Sequence, residues 1–271
     1  MEIVGQERKI SLSVGFYRRT GKFSYLAKEE TTGPWSSDAQ HGGPPCALLA
    51  SIIDQCSYSV GSQIAKIAVE FLRPVPLGEL WADVTLVRQG HKISLWDAIL
   101  SNEAGPLLLA RAWRLKRDVG RVPAVSMREG STANLETIAS SQLDYFPYLA
   151  NMDWKFEVGD FDVLGPAVVH GRSKIPLVED EEISGLAQLL LIADSANGIS
   201  KELTFEKFLF VPVDLMCSLV ELPDPGEFIT FDARSRISDS GSGISEATIS
   251  QQGRYLGSSL HTLYVEPRRE H

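Results

Sequence analysis

Cysteine is scarce in this chain. Cys46, Cys56 and Cys217 are the only three in 271 residues, and their spacing matches no metal motif. An odd count cannot form a fully paired disulfide framework, so free thiols in a reducing cytoplasm are expected. Long apolar runs are missing as well. The longest, Leu186 to Ala193, is interrupted by Gln188 and falls far short of the ~20 residues that span a bilayer. The first ten residues, MEIVGQERKI, bring charges too early for the apolar core of a signal peptide. Positive charge is in deficit, with 26 Lys and Arg against 35 Asp and Glu. A net charge of −9 argues against nucleic acid as a partner, because such binders present a basic face. It leaves room for the few basic side chains that a phosphate ligand needs. The sequence has no P-loop, no dinucleotide-binding glycine pattern and no G-x-S-x-G elbow. Its five histidines (41, 91, 170, 261 and 271) are scattered, so neither a metal nor a cofactor is expected.

What the chain does contain is one order of elements, repeated. Residues 23–31 suggest a short strand, which Gly42-Gly43-Pro44-Pro45 follows as a break. Cys46 to Ser57 then reads as an Ala-rich helix, and prolines suit a first turn where a missing N–H costs little. The helix is apolar around most of its circumference, which predicts burial. Runs rich in Val, Ile, Leu and Trp follow at 64–74, 80–89, 93–102 and 106–116, separated by VPLG, RQGH and NEAG. Links this short favour antiparallel pairing. Residues 117–142 are polar and aperiodic, a linker with a helical turn near 131–139. Apolar and aromatic stretches at 145–163 and 166–174 lead to a second helix over 182–196. Glu179 to Glu182 would complement the positive end of its dipole, and Asn197-Gly198 would close it with a left-handed glycine. Strand runs at 205–220, 227–237, 243–251 and 254–265 complete the chain.

Matching positions recur at a nearly constant offset. Asp54 and Asp194 lie 140 residues apart, Gly78-Glu79 and Gly226-Glu227 148, Ile93-Ser94 and Ile244-Ser245 151, and Gly105 and Gly253 148. Drift of this size is what loop insertions produce. The reading is a duplication, with halves at 1–116 and 143–271 joined by 117–142.

At this point particular residues carry a resemblance. His41-Gly42-Gly43-Pro44-Pro45 with the following Ala47-Leu48-Leu49-Ala50 resembles the start of the helix in double-hotdog acyl-CoA thioesterases. Phe71-Leu72-Arg73-Pro74 with Gly78 resembles the strand that comes next in that family. Ala193-Asp194-Ser195-Ala196-Asn197-Gly198 resembles its helix-end segment with the family's acidic residue. The resemblance spans about residues 20–266 and is nearest the branch related to bacterial thioesterase II. It implies an α+β double hotdog: two long central helices, each wrapped by a curved antiparallel sheet. It also implies an acyl-CoA or acyl-carrier-protein thioester as substrate, bound between the halves, and assembly into a homo-oligomer.

Thioester hydrolysis requires an activated water, donors for the carbonyl oxygen and a thiolate that can leave. Asp194 is the candidate for activating water, because a carboxylate in LLLIADSANG is expensive unless paired or used. In thioesterase II a Thr and a Gln orient that water. Here the resemblance puts His261 at the Gln position and Pro212-Val213-Asp214 at the Thr position. His261 either assists Asp194 or is a strand histidine with a structural partner. Asp214, on the face of Pro212 by strand alternation, either replaces the lost hydroxyl or lies at the surface. The first-half equivalents are Asp54 and Trp113, which favours a single site in the second half. Gly42 and Gly43 would let a carbonyl approach the first helix terminus, with His41 beside it, or else form a plain turn. Asn197 and Gly198 complete the substrate-binding set. Arg73 either meets a CoA phosphate or is solvated. Two further readings stay open: a non-catalytic acyl-thioester binding protein, and a hotdog dehydratase.

Overall fold

A computed structural model describes residues 14–56, 61–125, 130–141 and 143–268. The first ten residues, Ser57 and His271 lie outside them. In the first half the elements are β1 (Tyr17–Arg19), β2 (Ser24–Ala27), a 3₁₀ turn (Glu29–Thr31), α1 (Gly43–Gln55), β3 (Ser62–Phe71), β4 (Gly78–Arg88), β5 (Ile93–Asn102) and β6 (Gly105–Lys116). In the second they are α2 (Pro147–Ala150), β7 (Met152–Val158), β8 (Ala167–Ser173), α3 (Gly185–Ala193), α4 (Ala196–Ile199), β9 (Phe208–Pro212), β10 (Asp214–Leu219), β11 (Ile229–Ile237), β12 (Ser242–Gln251) and β13 (Arg254–Pro267). No helix among the described residues is long and apolar enough to cross a membrane.

All these strands join one antiparallel sheet, ordered β1-β2-β4-β5-β6-β3-β10-β13-β12-β11-β8-β7, with β9 also paired to β13. The order is symmetric about the β3–β10 seam. Moving outward, β3, β6, β5 and β4 on one side answer β10, β13, β12 and β11 on the other. The seam runs from Asp214 opposite Glu70 to Ser218 opposite Lys66. The repeated positions match in detail. Gly78, Gly226, Gly105 and Gly253 all have positive φ, the left-handed backbone that glycine adopts without a steric penalty. Ile93 and Ile244 are both exposed, while Ser94 and Ser245 are both buried.

The helices α1 and α3 pack against each other on the inner face of the sheet. All nine residues of α3 are buried, as its all-round apolar sequence requires. Each fully buried Leu or Ile there contributes roughly 1.5–3 kcal/mol by leaving water. The pair is antiparallel: Gly43 at the start of α1 meets Leu191 near the end of α3.

Several local expectations are corrected. The second helix does not run unbroken from 182 to 196. Ser184 caps α3 by accepting the Ala187 N–H at 3.1 Å, and the helix tightens where Ser195 N–H bonds Ile192 O at 2.9 Å. The short α4 follows, and Asn197 and Gly198 belong to it; Gly198 is not in the left-handed region. The acidic cluster serves the N-terminal hairpin instead of the helix dipole: Glu179 accepts from Lys28 at 2.6 Å and Glu181 from Arg19 at 2.7 Å. Residues 205–220 form two strands, not one. The side-chain alternation shifts at exposed Val213, so Phe210 and Leu215 both point inward. Residues 131–139 contain a turn, with Thr137 N–H bonded to Asn134 O at 3.0 Å, and no helix.

Candidate functional site

The start of α1, the α3–α4 break, α2, the 160–165 loop, Phe205 and the end of β9 enclose a cavity of about 360 Å³. That size suits a small-molecule ligand. Its walls include Trp35, Phe146, Phe161 and Phe205, together with His41, Asp194, Ser195, Asn197, Gly198 and Pro212. Residues from both halves of the chain therefore meet here, because the antiparallel helix pair brings the beginning of α1 to the end of α3.

Asp194 caps α3 and is only 4% exposed. Its Oδ2 lies 3.1 Å from His41 Nδ1, and its Oδ1 lies 3.7 Å from His261 Nε2. Burial pushes the carboxyl upward, but His41, then His261, and the Gly42 N–H outweigh it and hold Asp194 below the ordinary aspartate range. His41 moves down from the usual histidine range, chiefly because burial disfavours its cation; Asp194 opposes this and His261 adds to it. At neutral pH the pair is therefore a carboxylate beside a neutral imidazole. His41 Nδ1 lies 3.1 Å from Asp194 Oδ2 and also 3.1 Å from the Gly43 nitrogen, whose N–H it accepts when unprotonated. A carboxylate and an imidazole nitrogen held that close compete for one proton, and the titration belongs to the pair.

The glycines are explained by this contact. A Cβ on Gly42 would sit 2.8 Å from both Asp194 oxygens and from Phe71 Cε1, and one on Gly43 would overlap the Leu191 carbonyl oxygen. Gly42 and Gly43 thus admit a carboxylate from the other half to the α1 terminus. Tyr148 secures the assembly. Its ring stacks on His41 with centroids 3.9 Å apart and planes 5° apart. Its hydroxyl donates to Leu191 O at 2.6 Å and lies 3.1 Å from Ser195 Oγ.

The remaining candidates divide. His261 points inward from β13 and is wholly buried, and among the described residues neither ring nitrogen has a hydrogen-bond partner. It sits behind Asp194 and does not line the cavity. Asp214 does not join the group. The shift at Val213 puts it on the opposite face from Pro212, across from exposed Glu70, where its Oδ1 accepts the Thr262 N–H at 2.6 Å. Trp113 is not the inward-facing equivalent of His261 either. It lies on the outer face of β6, with the Arg88 guanidinium 6.0 Å from its ring centre. The inward residue beside it is Arg114, whose Nη1 donates to Asp54 at 2.6 Å. Arg73 spends its guanidinium on the carbonyls of Ala104 and Pro106. Sequence reasoning missed Trp35, Phe146 and Tyr148; it named His41 as a substrate contact but paired Asp194 with His261.

These features define a class, the hotdog-fold proteins. A hot dog fold protein of Alicyclobacillus acidocaldarius superimposes with a TM-score of 0.73 at 12% identity, over 94% of this chain and 96% of that one. A candidate thioesterase II from Thermobifida fusca gives 0.73 at 16% identity, over 93% and 95%. The acyl-CoA thioesterase II TesB2 of Mycobacterium marinum gives 0.65 at 12% identity, over 94% and 95%. No curated protein matches the sequence. Residues 31–115 match the acyl-CoA thioesterase N-terminal domain, and residues 121–265 the acyl-CoA thioesterase C-terminal domain. The chain belongs to the acyl-CoA thioesterase family, and by that membership it is a thioester hydrolase acting on acyl thioesters.

Proposed function

We propose that the chain is a double hotdog with halves at 1–116 and 143–271, and that it hydrolyses an acyl-CoA or acyl-carrier-protein thioester at one site built by the Asp194–His41 pair. The observation that carries this reading is the 3.1 Å approach of His41 to Asp194 on the cavity wall, across 153 residues of sequence. Asp194 draws a proton from a cavity water, and His41 Nδ1 shares it. The hydroxide adds to the thioester carbonyl, whose electron pair moves onto oxygen. Collapse breaks the C–S bond, and the pair returns its proton to the departing thiolate. General base catalysis of this kind is worth roughly 10²–10⁴-fold. His261, buried behind Oδ1, acts as a positioning residue for Asp194. Asp214 remains a backbone anchor in this scheme.

The test is release of free thiol from a panel of acyl-CoAs. His41→Gln and Asp194→Asn should each lower kcat by at least 100-fold, and His261→Gln by less, with KM little changed (order of magnitude from general base catalysis). Full activity in Asp194→Asn would sink the site assignment. Retained activity in His41→Gln alone would mean that Asp194 works unaided. The same protein in light scattering tests for a homo-oligomer.

One observation favours a second reading. Hotdog dehydratases pair an acid with a histidine; no such pair is adjacent in the sequence, but folding creates one. Loss of conjugated absorbance from a 2-enoyl thioester, with no thiol released, would support hydration in place of hydrolysis.

A further inference from the structure

The hydrolytic reading leaves one requirement unmet: the carbonyl oxygen needs a donor when it becomes an oxyanion. The start of α1, the natural anion site, has none to spare. Gly42 is packed against both oxygens of the Asp194 carboxylate, and its N–H helps to hold that carboxyl below the ordinary aspartate range. The Gly43 N–H goes to His41 Nδ1 at 3.1 Å, and that of Cys46 to Gly42 O at 3.2 Å. Pro44 and Pro45 carry no N–H at all. The residues that shape this terminus for Asp194 therefore also close it to substrate.

We infer that the Asn197 carboxamide is the oxyanion donor of this site, an assignment that rests on the hydrolytic reading above. Asn197 is 7% exposed and lines the cavity with Asp194 and Ser195. Its carboxamide bonds no described residue. A carboxamide without a protein partner is free to bond whatever enters the space beside it, and the cavity that Asn197 lines is such a space. The break after Asp194 brings it there. With Ser195 turning the chain, α4 presents Asn197 on the same wall as the carboxylate, so base and donor flank one reacting carbon. As water adds, the carbonyl π pair moves to oxygen and the Nδ2–H of Asn197 holds it. When the C–S bond breaks, the pair returns to carbon and the hydrogen bond relaxes. No other reactant is consumed.

Because the carboxamide bonds none of the described residues, its removal should leave the fold intact. Asn197→Ala and Asn197→Asp should lower kcat on a hydrolysed thioester by about 10²–10³-fold, as loss of an oxyanion donor does. KM should stay within about threefold and Tm should not move. Asn197→Asp is the sharper variant, since a carboxylate of equal size repels the developing charge. A second readout is binding. A trifluoromethyl ketone analogue, which takes up water to form an oxyanion, should lose affinity for the Ala variant by a similar factor. A thioether analogue lacking the carbonyl should bind both proteins equally. A kcat within threefold of wild type, or a fall in Tm with parallel loss of both analogues, overturns the assignment. Absence of turnover by the wild type overturns the hydrolytic reading and this inference with it, whereas an active wild type with an unaffected Asn197→Ala overturns this inference alone.

Discussion

A single methyl group at residue 42 should silence the enzyme. The added Cβ of Gly42→Ala would stand 2.8 Å from both carboxylate oxygens of Asp194, closer than real contacts allow. Asp194 has little room to retreat, because His41 stands 3.1 Å from one oxygen and His261 3.7 Å from the other. The expected result is a kcat loss of about 10-fold or more with a KM change of less than threefold, since substrate contacts stay in place. Steady-state kinetics with any hydrolysed thioester checks it. The same cluster sets a pH dependence of stability. The unfolded His41 binds a proton near pH 6.5, but the folded one does so only at lower pH because burial opposes the cation. Between those values the unfolded chain carries the extra proton, so stability falls as pH drops through that window. Asp194, also held low, adds a second loss below its unfolded value of 3.8. His170, lowered mainly by burial, acts in the same direction as His41. Urea midpoints measured from pH 7.5 down to pH 5 should decline in the wild type and decline less in His41→Gln. Equal slopes would mean that His41 does not titrate as its burial requires.

At the scale of elements, the contact between α1 and α3 carries the most strain if altered. Gly43→Ala would drive a methyl into the Leu191 carbonyl, which is backbone inside a fully buried helix. Helix and carbonyl must separate, and about 2–4 kcal/mol of stability should go with that movement. Thermal denaturation should show the loss, with activity falling in parallel because the same shift parts His41 from Asp194. This scale also shows what the sequence could reveal. The strands were legible because alternation is local: β5, β12 and β13 begin where their glycine turns predicted. The helix break at Asp194 was not legible, since LLLIADSANG has no Pro or left-handed glycine to mark it. The Trp113 misreading has a simple cause. An offset wrong by one residue turns a strand position to the other face, and Arg114, not Trp113, looks inward at Asp54. The slip at Val213 displaced Asp214 in the same way. Asp194 was legible from the cost of burying a carboxylate, and His41 as a residue beside the first helix terminus, whereas their pairing was not, because only the antiparallel packing of α1 and α3 brings the two together.

For the whole molecule, the question is whether two similar halves behave as one unit. The seam supplies five residue pairs between β3 and β10, fewer than the nine between β3 and β6 or the ten between β12 and β13. The core argues for unity all the same. One continuous buried cluster takes in Leu48, Ile52 and Ile67 from the first half and Leu190, Ile192 and Leu215 from the second. Neither helix has a second apolar partner to cover its inner face if the other half unfolds. Exposing α3 alone would return five large aliphatic side chains to water, roughly 8–15 kcal/mol, which is comparable with the total stability of a domain. The halves should therefore melt together. Urea unfolding followed by tryptophan fluorescence (Trp96 in one half, Trp154 in the other) and by residual thioesterase activity should give coincident single transitions. An activity loss well ahead of the fluorescence change would indicate a junction that opens first, and two fluorescence steps would mean that each half holds its own core. Coincidence has a functional consequence: the His41–Asp194 pair spans the junction, so the chain cannot hold a competent site while either half is unfolded.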